Sequence, residues 1–183
     1  MKKISQYITE KLHLNKDIQI TKITVNFKKE LSDIIHERLK ESKDLDLTDI
    51  DISKLEDYDL VYLFENEDVR SVDMRGWDLS KQKDIHGMFW MNNVVEKIYV
   101  DDWDTSNIIS MYGLFMGCEN LKVLNVSRWD VSKVKEFNYM FESCTSLPET
   151  FNIDDWKPKP GVDVTNMFAY DKQLKQPSWW RKI

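Results

Sequence analysis

Three kinds of residue in this chain could do chemistry: histidines, cysteines and a set of regularly spaced aspartates. Zinc sites are built from close-spaced His and Cys ligands. His13, His36 and His86 form no His-x-x-x-His pair, and Cys118 and Cys144 form no Cys-x-x-Cys pair. His36-Glu37 opens like a zinc-protease helix, but Lys40 stands where the second histidine would be needed. Gly76, Gly87, Gly113, Gly117 and Gly161 never compose a phosphate-cradling loop. A Ser-His-Asp arrangement is invited by no residue outside the repeat described below, so the expectation is a protein without catalysis, metal or cofactor. Asp78, Asp104 and Asp130 each follow a tryptophan. Calcium-binding repeats need recurring glycines to turn carbonyls inward, and no glycine recurs beside these aspartates. The expected role of these aspartates is therefore turn formation, with each carboxylate accepting from the amide two residues on.

The element that positions all of these is a repeat. Trp77, Trp103, Trp129 and Trp156 recur at spacings of 26, 26 and 27, and Phe89, Phe115, Phe141 and Phe168 follow each of them by twelve residues. Met88, Leu114, Met140 and Met167 precede those phenylalanines. A period between 20 and 50 residues is the mark of stacked repeat architectures. Apolar residues stand three and five before each Trp (Val72 and Met74, Ile98 and Val100, Leu124 and Val126, Phe151 and Ile153), the alternation of a half-buried strand. After the Trp, Val134, Phe137, Met140, Phe141 and Cys144 keep spacings of three and four, which predicts a short helix or 3₁₀ segment capped by Ser80, Ser106 and Ser132. Helices side by side sit about 10 Å apart, too far for the equivalent residues Cys118 and Cys144 to be bridged. Both are expected as buried free thiols. Asp44–Leu55 is a degenerate first copy, with Ile50 in the Trp place and Leu63-Phe64 in the Met-Phe place.

The fold class expected is α/β: a short leucine-rich-repeat solenoid of parallel strands and short helices with an N-terminal helical cap. Residues 1–43 form an arm and capping helix, 44–174 a five-unit array and 175–183 a C-terminal cap. The helix is predicted to start at Phe27 with Asn26 as its cap, its stripe being Phe27, Leu31, Ile34, Ile35 and Leu39. Ile18, Ile20, Ile23 and Val25 suggest a strand before it, and Ile4, Ile8 and Leu12 a further marginal stripe. Trp179-Trp180 stands where a sixth strand would begin and reads as a lid, with an exposed aromatic contact as the competing reading.

Composition bounds the function. In 183 residues, 42% are apolar and 32% charged, with no apolar run long enough to span a membrane. Met1-Lys2-Lys3 is followed by no signal-type apolar segment, and two cysteines make no disulfide framework, so a cytoplasmic, reducing setting is expected. Residues 1–43 carry ten Lys/Arg against six Asp/Glu, and the remainder sixteen against twenty-six. An acidic body repels phosphate backbones, which argues against direct nucleic-acid binding. The Asn125-Val126-Ser127 sequon falls mid-strand and carries no weight.

Trp-Asp-Val-Ser-Lys-Val through Met-Phe-x-x-Cys, as in Trp129 to Cys144, resembles the BspA-type leucine-rich repeat of bacterial and mycoplasma surface proteins. The likeness covers about residues 44–174, and it implies a curved parallel-strand stack used for protein–protein contact. Residues 1–17 are similar, over a short stretch, to leaders of small gut-phage proteins.

Residues two, four and six before each Trp face away from the core. They are Asp44, Asp46 and Thr48; Ser71, Asp73 and Arg75; Lys97, Tyr99 and Asp101; Val123, Asn125 and Ser127; Thr150, Asn152 and Asp154. Among them Asp44, Asp46, Asp73, Arg75, Lys97, Tyr99, Asp101, Asn125, Asn152 and Asp154 are the candidate contact residues. The expected function is a non-catalytic protein–protein interaction module, phage- or gut-bacterium-encoded, that uses this open face on a polar, somewhat basic protein. Two alternatives are a structural component of a virion or other assembly, and an acidic inhibitor that mimics nucleic acid.

Overall fold

The computed structural model describes residues 22–180. The elements in chain order are β1 (Ile23–Thr24), α1 (Lys28–Glu41), β2 (Asp44–Asp46), β3 (Ile50–Asp51), β4 (Ser71–Asp73), β5 (Lys97–Tyr99) and β6 (Val123–Leu124). The architecture is mixed α/β with parallel sheets. β2, β4, β5 and β6 pair in that order, and β1 pairs with β3. The register follows the repeat: Leu45, Val72, Ile98 and Leu124 are successive partners across the sheet. A third row of parallel bridges joins Asp84, Ser110, Glu136 and Asp163. Strands this short hold only because each unit adds its inward side chains to one continuous core.

Two aromatic ladders run through that core. The indoles of Trp77, Trp103, Trp129 and Trp156 stack with centroids 6.3, 5.9 and 6.5 Å apart. The rings of Phe64, Phe89, Phe115, Phe141 and Phe168 stack at 4.9, 5.7, 5.7 and 5.7 Å. Each indole N–H donates to a carbonyl of the preceding unit: Trp77 to Leu47 at 3.0 Å, Trp103 to Met74 at 2.9 Å, Trp129 to Val100 at 3.2 Å and Trp156 to Val126 at 2.9 Å. Trp179 repeats the pattern on Ile153 at 2.8 Å. Trp179 is buried, and Trp180 packs 5.6 Å from Phe168, so the pair closes both ladders.

The segment after each Trp is not helical. Gly87, Phe89 and Met91 donate their amides to Tyr112, Leu114 and Met116 of the next unit, while Met88, Trp90 and Asn92 bond three residues back. An α-helix keeps its N–H bonds within itself beyond the first turn, whereas here alternate amides link neighbouring units. Two residues per unit take left-handed φ to permit this, for example Tyr139 at 61° and Ser143 at 60°. The spacing of three and four survives because consecutive tight turns, like helical turns, return the chain to the same side. With no helix to cap, Ser80, Ser106 and Ser132 instead give their amides to Asp78, Asp104 and Asp130 at 2.9, 3.0 and 2.9 Å, the turn role expected of those aspartates.

Helix diameter therefore does not separate Cys118 from Cys144, because the two lie in hydrogen-bonded neighbouring turns. They are nonetheless free and buried, with their thiols donating to the carbonyls of Phe89 at 3.3 Å and Phe115 at 3.1 Å. Burial pushes both pKa values up.

Three further expectations are corrected. Phe27, not Asn26, is the residue before α1, and it is exposed. The Glu30 carboxylate reaches back to accept the Asn26 amide at 2.7 Å, which leaves Leu31, Ile34 and Ile35 as the buried stripe, with Leu39 packed beside it. Phe151–Ile153 pairs with no strand. Pro148 precedes it, the Phe151 amide turns back to the Pro148 carbonyl at 2.8 Å, and the extra residue of this unit breaks the ladder. The arm, including Ile4, Ile8, Leu12, Ile18 and Ile20, lies outside the described residues.

Phe115 stacks on both sides, whereas half-buried Phe168 has Phe141 on one side and the terminal Trp180 on the other. Phe115→Ala is expected to cost about 3–5 kcal/mol and Phe168→Ala clearly less, read by urea unfolding; equal losses would contradict the ladder. Native protein should also leave Cys118 and Cys144 unmodified by a thiol reagent until it is unfolded.

Candidate functional site

The outward side chains of the sheet form the candidate site, and the register sets their neighbours. Asp46, Asp73 and Tyr99 lie in one row, and Asp44, Ser71, Lys97 and Val123 in the next. At the centre, Asp73 accepts from Arg75 Nε at 2.9 Å, and that guanidinium lies 5.6 Å from the Tyr99 ring centroid. Arg75 holds the Asp73 carboxyl below its ordinary range. Cation–π contact and ion pair together fix the group. Beside it, Arg70 and Ser71 hydrogen-bond Asp44 and push its pKa down to about 2. Arg70 was absent from the sequence reading because it precedes the alternating positions. Lys97 is exposed and, among the described residues, makes no ion pair.

Several expected contact residues also serve the fold. Asp46, Asp73, Asn125 and Asn152 each accept the amide two residues on, at 3.0, 3.1, 3.2 and 2.6 Å, to Thr48, Arg75, Ser127 and Asp154. Asp154 accepts the Ser178 amide at 2.6 Å and so ties down the C-terminal segment. Tyr99 occupies the same position in its unit and can form no such turn. Asp101 is half-buried beside it.

A second surface escaped the sequence reading. On the turn side, Tyr62 meets His86 and Trp90, Trp90 stacks on Tyr112 at 6.0 Å, and Tyr112 meets Tyr139 at 5.5 Å. These rings are partly exposed, with Met91 at 48% beside them. The row exists because Gly87 and Gly113 leave room: a Cβ there would stand 2.2 Å from the Tyr62 ring and 2.5 Å from the Trp90 ring. Its signal was the two glycines standing where other units carry tyrosines, Tyr62 and Tyr139. Among the described residues, no group of three or more His, Cys, Asp or Glu could hold a metal. His36 pairs with Glu67, and His86 with Asp84, each at 2.8 Å.

With this geometry in view, the family described as Mycoplasma protein of unknown function, DUF285, matches residues 58–180, more than half of the chain. The chain belongs to that family. The family is related to BspA-like surface repeats. The match covers the units from Tyr58 to the terminal Trp180 and leaves the degenerate first copy largely outside. No curated protein and no solved structure matches the chain. Among the described residues, no helix is long and apolar enough to cross a membrane.

Gly113 has φ +54° beneath the Trp90 ring, whereas Gly161 has φ +85° with open space around it. Gly161→Ala should lose only the backbone term of about 1–2 kcal/mol, while Gly113→Ala loses more and shifts Trp90 emission. Equal losses in urea unfolding would mean that the ring is not seated on Gly113.

Proposed function

We propose that this DUF285 chain is a short leucine-rich-repeat solenoid of the BspA-like kind, with α1 covering its first strand, and that it is a non-catalytic module for binding a protein through the open sheet face. Support for α1 as a cap is its packing on β2 and its side-chain ties: Arg38 to Asp49 at 2.7 Å, His36 to Glu67 at 2.8 Å, and Lys28 to the Val61 carbonyl. A reducing, cytoplasmic setting in a bacterium or phage suits the two buried thiols.

One observation carries the binding reading. In four units the outward residue four before the Trp position is an Asp or Asn whose carboxyl or amide oxygen closes a turn. Tyr99 gives up that acceptor in the third. The exchange gives up a turn bond for a cation–π contact with Arg75, and an aromatic anchor so held, with Lys97 and Asp101 two residues to either side in the chain, is what the centre of a protein interface needs. The acidic groups around it, Asp73 and Asp101, favour a partner carrying basic and polar side chains.

The test replaces Tyr99 with the residue its neighbours use. Tyr99→Asn restores the turn acceptor, so it should leave the melting temperature unchanged or slightly raised while abolishing capture of the partner by immobilised protein. Trp90→Ala with Tyr112→Ala, on the opposite side, should leave capture intact. Loss of capture by the second variant but not the first would assign binding to the aromatic row. Indifference to both would overturn binding by either face.

A further inference from the structure

Asp171 is buried, and neither of its carboxylate oxygens has a hydrogen-bond partner. Its place in the repeat explains what it does. The same position carries Asn92, Cys118 and Cys144 in the three preceding units, and each donates to the carbonyl of a phenylalanine one unit back: Asn92 Nδ2 to Phe64 at 2.9 Å, Cys118 to Phe89 at 3.3 Å, Cys144 to Phe115 at 3.1 Å. The next carbonyl in that series belongs to Phe141, whose unit is joined to the last one by amides of Tyr139, Phe141 and Ser143 donating to Thr165, Met167 and Ala169. That carbonyl already accepts the Cys144 amide at 3.1 Å, the series offers it a second donor, and an aspartate donates only when protonated.

We propose that Asp171 is an acid-form latch: its protonated carboxyl donates to the Phe141 carbonyl and locks the C-terminal unit, residues 165–180, and its ionisation releases that unit. Loss of the proton puts an unpaired charge beside a carbonyl oxygen at a buried position. Facing Asp171 from the preceding turn is Glu142, whose Oε2 is likewise buried without a partner and whose charge disfavours the carboxylate. The backbone amides of Ser143 and Cys144 favour it but are already given to the carbonyls of Ala169 and Phe141, and the Cys144 thiol beside them is neutral. Its own segment brings Tyr170 and Lys172, and among the described residues no cation pairs with it. In keeping with that geometry, burial pushes the Asp171 pKa up to about 7. Since the folded value lies above the unfolded one, the stabilisation is complete below about pH 4 and is lost as pH rises toward 7, at up to about tenfold per pH unit for one proton.

The measurement is hydrogen exchange on the full chain from pH 5 to pH 8, expressed as protection factors so that intrinsic exchange chemistry cancels. Wild-type protein is expected to lose protection across residues 165–174 as pH rises, with the Phe89 and Phe115 units unaffected. Asp171→Asn, which installs the donor used at Asn92, should remove that pH dependence and exceed wild type in protection at pH 8. Asn92→Asp should transfer the same pH dependence to the second unit. The latch is overturned if Asp171→Asn keeps the wild-type profile, or is less protected than wild type at pH 8. It is also overturned if calcium restores wild-type protection at pH 8, because the carboxylate would then be a cation ligand.

Discussion

The structure hangs on carbonyls that accept twice. Met74 O takes the amide of Trp77 in its own unit and the indole N–H of Trp103 in the next; Val100, Val126 and Ile153 do the same for the tryptophans that follow them. On the opposite side, Phe89 O takes the Asn92 amide and the Cys118 thiol, and Phe115 O takes the Cys118 amide and the Cys144 thiol. One bond closes the turn within a unit, and the other staples that turn to its neighbour. A lost staple donor leaves the carbonyl with its turn bond, so the cost is that of one buried hydrogen bond, about 0.5–1.5 kcal/mol. This is why Trp is kept where any large apolar side chain could fill the volume.

The same staples set the distance between units. Amide ladders on the strand side and the turn side hold every unit one strand spacing, about 4.8 Å, from the next. Rings repeated at that interval must stack, which accounts for both internal ladders and for the partly exposed row from Tyr62 to Tyr139. Small residues follow from the same constraint: in the turn, Gly87 and Gly113 are the gaps into which the rings of the previous unit lean.

The period, the inward strand positions, the Met-Phe place at Leu63-Phe64 and the aspartate turns were all legible in the sequence, because each depends on a contact repeated at fixed spacing. The path between strands was not. Val134, Phe137, Met140, Phe141 and Cys144 have the spacing of a helix, and only the destination of the alternate amides tells a helix from a chain of turns. That destination is a neighbouring unit 26 residues away, invisible to a local pattern. The wrong spacing between units followed from the same error, although the thiols remain free for a different reason: each has a carbonyl partner of its own. Phe151–Ile153 failed as a strand because one inserted residue and Pro148 matter to pairing but leave the alternation untouched. The candidate face was found as a set of positions, but not which of its members are already occupied by turn closure, Arg75 or Arg70.

A repeat also makes its exceptions readable. Where a position has a structural task in every unit, a residue that cannot perform it needs another explanation. Tyr99 interrupts a column of turn-closing Asp and Asn side chains, and Asp171 ends a column of donors with an acceptor. The two exceptions differ in kind. Tyr99 lies on a half-exposed surface, where the turn amide left without that acceptor can be solvated, and this is the exception on which the proposed contact rests. Asp171 is buried with neither carboxylate oxygen hydrogen-bonded, so its departure bears on the fold itself. Burial thus divides the departures from periodicity into those that leave a side chain open at the surface and those that act within the fold.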